Sequence, residues 1–161
     1  MAALLERLRR LRNERGEVTV VLFDSTANVG KGQERDEAMA ERLAAVVAAG
    51  PAEAVVVATC GNVHSRTHVG VPWDAAYRPM AFLAARRLAG RRVLGLELTS
   101  PKGAVWMCDP SGACGLHAVG GSGDGSRRVE LLAAPVDGHD GRYQLPSLTP
   151  SPPAARPQPP S

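Results

Sequence analysis

Ala54-Val55-Val56-Val57-Ala58-Thr59-Cys60 runs directly into Gly61-Asn62-Val63-His64. A short, β-branched, bounded run of this kind predicts a buried strand, and the turn after it places Asn62 and His64 at the strand's carboxyl end. In open α/β sheets that rim is where ligands bind. An imidazole there is suited to acid/base work or metal ligation, because its pKa lies near neutrality.

Working outward, Glu34 to Ala49 reads as a helix, with Ala38, Met39, Leu43, Val46 and Val47 on one side and Gly50-Pro51 as its stop. Before it lies a polar loop, Ser25 to Gln33, and before that a second apolar run, Val18 to Asp24, read as another buried strand. Strand, helix, strand in this order predicts a right-handed crossover with parallel strands. Residues 2–15 set Leu4, Leu5, Leu8 and Leu11 at helical spacing among Arg7, Arg9, Arg10 and Arg12. That amphipathic helix is expected to cover one face of the sheet, although its basic side would also suit a membrane surface.

Downstream, a helix is expected at 77–89, with Pro79 near its start and Gly90 at its end. Arg92–Thr99 and Ala104–Cys108 flank Pro101-Lys102-Gly103 and predict an antiparallel hairpin. Two short strands, 116–119 and 128–133, bracket Gly120 to Ser126, read as a flexible hairpin tip because no strand-then-helix setting makes it a phosphate loop. From Pro146 the chain is Pro, Ser and Ala, which predicts a disordered tail. The fold class expected is α/β: a partial parallel sheet with flanking helices, antiparallel strands in the carboxyl-terminal half, one domain over 1–145 and a tail over 146–161.

Bulk properties agree with a globular chain. It has 161 residues, 44% of them apolar and 22% charged, enough to bury a core without metal or disulfide. The net charge is +3, and 17 of the 19 basic residues are Arg, only Lys31 and Lys102 being Lys. The six aromatic residues are not interleaved with a basic stripe, so nucleic acid is not an expected partner. No secretory signal and no long apolar span are present, and Cys60, Cys108 and Cys114 make an odd count. These features predict a cytoplasmic protein with reduced thiols. Cys108, Cys114 and His117 would make an incomplete zinc set, or the two cysteines a local disulfide.

Three groups converge on the predicted rim. Asp24 ends the first strand, His64 follows the second, and Arg35-Asp36 opens the helix between them. Asp36 suits a helix amino terminus, whereas Arg35 opposes the dipole there and so calls for pairing with Asp24 or for an anionic ligand. His68 and Arg66 lie close enough in sequence to reach the same place, and Gly61 and Asn62 shape its edge. No G-x-S-x-G elbow supplies a serine nucleophile.

The segment Arg35-Asp36-Glu37-Ala38-Met39-Ala40, followed by Val55 to His64 with its Gly61-Asn62-Val63-His64, resembles the carboxyl-terminal half of the superfamily of ChaN-like haem-uptake, TraB/TIKI and erythromycin esterase-like proteins. There an R-D-x-x-M-A helix start precedes a strand ending in G-x-x-H. The resemblance covers about residues 34–64 and implies an α/β domain of bacterial type with its site at the strand ends. His64 would be the second motif's His, as acid/base or metal ligand, with Gly61 its Gly and Arg35-Asp36 the helix-start pair. It implies metal-dependent or acid/base hydrolysis, a divalent metal or haem as cofactor, and a small-molecule or peptide ligand. Family members also carry an earlier acidic-residue and His motif, and none of the sixty residues before Gly61 is His. That departure implies a fragment, a misplaced start, one half of a split protein, a degenerate non-catalytic accessory protein, or a site completed within a homo-oligomer or by a complementing partner subunit.

Overall fold

The computed structural model describes residues 2–16, 18–24, 32–88, 90–108, 113–121 and 123–150. Helices α1 (Ala2–Arg15), α2 (Gln33–Ala49) and α3 (Met80–Arg87) come first; strands β1 (Leu96–Thr99), β2 (Gly103–Cys108), β3 (Cys114–Val119), β4 (Arg128–Val136) and β5 (His139–Gln144) follow. The fold is α/β, with strand pairing of both senses. Thr99 O accepts from Leu145 N, and Gly95 O from Asp140 N. The pairing therefore advances in one direction, and β1 runs parallel to β5. The sequence reads as one domain over 1–145; the chain divides into two compact units, Ala2–Glu97 with Glu130–Arg142, and Leu98–Val129 with the residues from Tyr143. Strands β1, β4 and β5 form one sheet in the order β1-β5-β4.

The first unit owes its core to two helices. Met39 and Ala40 of α2 pack against Met80, Ala81, Leu83 and Ala84 of α3, with Phe23, Leu43, Cys60, Phe82 and Leu88 at the edge. Small residues at helical spacing let the two backbones approach closely, and the two methionines fill the irregular space between them. The expected helix at 77–89 is shorter than its apolar pattern. It starts after Pro79, whose ring fixes an extended lead-in at φ −60° and ψ 155°.

Two expected strands are corrected. Val18–Asp24 and Ala54–Cys60 belong to no helix and no strand ladder among the described residues. Nor are they buried: Leu22 is 84% exposed, Val55 89% and Val57 82%. β-propensity expresses fit to a covered, paired surface rather than a backbone preference, and no neighbouring strand here supplies that surface. Only the carboxyl ends of the two runs, at Phe23 and Cys60, reach the core. Helix α1 does not cover a sheet face either. Leu4 and Leu5 remain nearly half exposed, and its polar side is tied by Glu6 to Arg9 and Arg10.

In the other unit, β2 pairs with β3 from Gly103↔Val119 to Cys108↔Cys114, and not with β1 as the Pro101-Lys102-Gly103 turn suggested. β3 and β4, which flank the Gly-rich stretch 120–126, therefore belong to different sheets and do not pair as a hairpin. Asp124 closes a local turn there by accepting from Ser126 N. The start of the tail is held: Leu148 bridges Gly103 in parallel, at a position where a side chain on Gly103 would strike the Leu148 backbone. Residues 151–161 of the expected tail lie outside the described residues.

Candidate functional site

The site is built from the first turn of α2. Helical spacing puts Gln33, Asp36 and Glu37 on one face, and all three grip the segment leading into α3. The Gln33 amide donates to Arg78 O at 3.1 Å and accepts from Arg78 N at 2.9 Å. Glu37 pairs with the Arg78 guanidinium at 2.7 Å. Asp36 Oδ2 accepts the Met80 backbone N–H at 2.9 Å.

That last bond has a local cause. A helix leaves its first N–H groups without internal partners, and Pro79, at the cap position of α3, offers no side-chain acceptor. The amides are satisfied from elsewhere: Met80 N by Asp36, Ala81 N by His64 O at 2.9 Å, and Phe82 N by Arg66 O at 3.1 Å. Asp36 is 0% exposed and sits where the α3 dipole favours a negative charge. Its second oxygen, Oδ1, lies 2.5 Å from His64 Nδ1. An ionised carboxylate only accepts, so Nδ1 carries the proton, and in the neutral ring the lone pair is at Nε2. The His64 side chain keeps 22% of its surface exposed, and Nε2 has no hydrogen-bond partner among the described residues. The ring stands on a turn closed by His64 N to Gly61 O at 3.0 Å and Ser65 N to the same oxygen at 3.3 Å.

Arg35 and Asp24 form a separate, more exposed pair. Nε meets Oδ1 at 3.1 Å and Nη2 meets Oδ2 at 2.5 Å, a bidentate geometry in which Nη1 has no hydrogen-bond partner among the described residues. The Arg35 guanidinium holds the Asp24 carboxyl below its usual range, and Asp24 in turn pushes Arg35 up. Of the two carboxylates expected at the rim, Asp36 meets His64 and Asp24 holds Arg35. Tyr77 is pushed up first by burial and then by the negative charge of Asp36, which its hydroxyl faces.

The remaining sequence candidates are placed differently. Arg66 donates Nε–H to Gly70 O at 2.9 Å and lies against Gly138, bracing its own loop. His68 is exposed, with Nδ1 3.2 Å from Thr67 Oγ1. Gly61 and Asn62 act through their carbonyls, as acceptors inside the turn. The loop 62–67 also meets residues that the sequence reading missed, His139 and Asp140, through Asn62, Ser65 and Thr67. The available signal was Asp137-Gly138, a dipeptide suited to a two-residue hairpin turn; it adopts φ 48° and 75° between β4 and β5.

No three His, Cys, Asp or Glu side chains gather in a metal-binding arrangement among the described residues. Cys114 is disulfide-bonded, which removes it from a zinc set. Cys60 is a free thiol, pushed up to about 11 by burial and then by Asp36. Thiolate is the reactive form, so two units above the usual value of 9.0 mean roughly a hundredfold less of it at neutral pH. Cys60 is expected to react with iodoacetamide about a hundredfold more slowly in the folded protein than in urea, as followed by mass spectrometry. Equal rates would contradict this packing.

No helix among the described residues is long and apolar enough to cross a membrane. Comparison with protein-family models, with characterised proteins and with solved structures finds no match to this chain.

Proposed function

We propose that the His64–Asp36 pair is the acid/base centre of a hydrolase-like site, of the kind implied by the resemblance to the ChaN, TIKI and erythromycin esterase-like proteins. The observation that carries the reading is the 2.5 Å contact between a part-exposed imidazole and a fully buried carboxylate. Burying a carboxylate is costly unless it is fully partnered. Here its partners include a helix amide and the ring nitrogen of the residue that faces solvent, and the Tyr77 hydroxyl faces it too. The arrangement fixes the tautomer and presents Nε2 as proton acceptor.

In an ester-type hydrolysis, Nε2 takes a proton from water as the water oxygen bonds to the carbonyl carbon. Asp36 stabilises the resulting imidazolium, and the proton then passes to the departing oxygen. Arg35, whose guanidinium is held by Asp24 at the same helix start, is the cation we assign to the charge developing on the carbonyl oxygen. A panel of chromogenic esters, with and without added divalent metal, tests this. His64→Ala should lower any turnover about 10²–10⁴-fold, the usual weight of a positioned acid/base group. A His64→Ala protein as active as the wild type overturns the reading.

A second reading, a site completed by a complementing partner chain, is favoured by the two exposed apolar runs. Val20, Val21, Leu22, Val55 and Val57 lie exposed on segments without a ladder, the kind of edge to which another chain adds a strand. Val55→Lys and Val57→Lys should then dissociate an assembly detected by sedimentation, while a monomer in the unmodified protein overturns it.

A further inference from the structure

We propose that His139 is a positioning residue for His64, locking the Asn62–Ser65 turn so that the His64 ring stays on Asp36; this rests on the reading of His64 as the working imidazole. His139 is the first residue after the Asp137-Gly138 turn and is only 2% exposed. Its Nε2 lies 2.9 Å from Asn62 O and 3.1 Å from Ser65 Oγ. The Ser65 hydroxyl donates to the same Asn62 carbonyl at 3.0 Å. Both residues flank His64 by one or two positions, so the ring of His139 is pinned across the back of its turn.

The tautomer follows from the surroundings. A proton on Nδ1 would be a buried donor with no acceptor, and Nε2 would then set a lone pair against a carbonyl lone pair. The proton therefore sits on Nε2, shared between Asn62 O and Ser65 Oγ. Nδ1 is left buried and without a hydrogen-bond partner among the described residues. An unpartnered buried nitrogen is unfavourable, and a leucine would avoid it. What the imidazole supplies and an apolar side chain lacks is the Nε2–H donor to the turn.

Neighbouring contacts act in the same direction. Gly138 O accepts Thr67 N at 2.8 Å and Thr67 Oγ1 at 3.3 Å, and Asp140 Oδ2 accepts Thr67 Oγ1 at 2.8 Å. On the opposite side the α3 amides hold the His64 and Arg66 carbonyls. The loop that carries His64 is thus fixed from two directions, by α3 and by the β4–β5 turn.

The test is nitrogen–proton NMR of the full chain, uniformly labelled with nitrogen-15. Unmodified protein should show His139 as the Nε2–H tautomer and His64 with a protected Nδ1 proton. In His139→Leu that His64 proton should exchange with water about tenfold faster, the equivalent of one hydrogen bond lost, while α2 and α3 resonances stay in place. His139→Gln, whose amide brings an N–H to the position of Nε2, should restore wild-type exchange. Should His139→Leu fail to fold, Ser65→Ala removes one partner of the same ring and should speed exchange in the same sense. An unchanged His64 proton in the folded His139→Leu or in Ser65→Ala, or no rescue by Gln, overturns the proposal. Because the readout is a proton and not turnover, an inactive protein leaves it standing and an active one does not prove it.

Discussion

Asp36→Ala is expected to lower stability by about 3–5 kcal/mol and to release His64 from its place. The size follows from what the carboxylate does. It is 0% exposed and holds two donors at once, the Met80 amide at 2.9 Å and His64 Nδ1 at 2.5 Å. Removing it leaves the first amide of α3 buried beside Pro79, which offers no substitute, and leaves a ring proton without an acceptor. A hydrogen bond to a charged group contributes about 1.5–3 kcal/mol, and two are lost together. Asp36→Asn separates stability from chemistry. Its oxygen can still accept from Met80, so the chain should lose only about 1–2 kcal/mol. Its NH₂ then faces His64, Nδ1 becomes the acceptor, and the ring proton moves to Nε2. A general base needs the lone pair there, so turnover should fall about 10²–10⁴-fold with the fold retained. Urea denaturation followed by helix signal, paired with the ester assay, reads both effects. Wild-type stability in Asp36→Ala would mean that α3 does not depend on this cap.

How far the sequence foretold this centre depends on the kind of signal each residue carries. Asp36, Arg35 and His64 were legible because a helix start and the end of an apolar run locate backbone positions well, and because Arg35 stands against its helix dipole with no acidic residue three or four positions away. Its partner, Asp24, was named for that reason. The strands were harder. Val18–Asp24 and Ala54–Cys60 satisfy every local rule for a buried strand, yet a strand is a relation between segments, and their valines stay in solvent. The converse holds at β5, where His139-Asp140-Gly141-Arg142-Tyr143-Gln144 contains almost nothing apolar but buries His139, Gly141 and Gln144. Hydrophobic patterning is blind to a strand whose inward side chains are polar and held by hydrogen bonds. The Asp137-Gly138 dipeptide was the one local mark of it, and what it brings to His64 lies 75 positions downstream of it in sequence (64 to 139), a separation at which no periodicity operates.

Gly95→Ala is expected to disturb the His64 loop although it touches neither His64 nor its partners. A Cβ on Gly95 would collide with the Ser65 carbonyl oxygen and lie 3.1 Å from Thr67 Cγ2. The first of these is backbone and cannot swing aside like the end of a flexible chain. Gly95 is held just as firmly on its own side: its N–H donates to Asp140 Oδ2 at 2.8 Å and its carbonyl accepts Asp140 N at 2.8 Å. Either the entry to β1 leaves Asp140 or the 62–67 loop moves, and the loop is bound to Gly138, His139 and Asp140 of the same turn. Overpacking at a site with no slack costs about 1–3 kcal/mol, and the displaced loop should also speed exchange of the His64 Nδ1 proton. Gly50→Ala is the matched control, since a Cβ there meets its neighbours at 3.6–3.8 Å, ordinary contact, and should change stability by less than about 0.5 kcal/mol. Equal behaviour of the two variants in urea would show that the His64 loop has freedom to retreat. Loss in Gly95→Ala alone would show that a residue outside the acid/base pair fixes its geometry through main-chain contact.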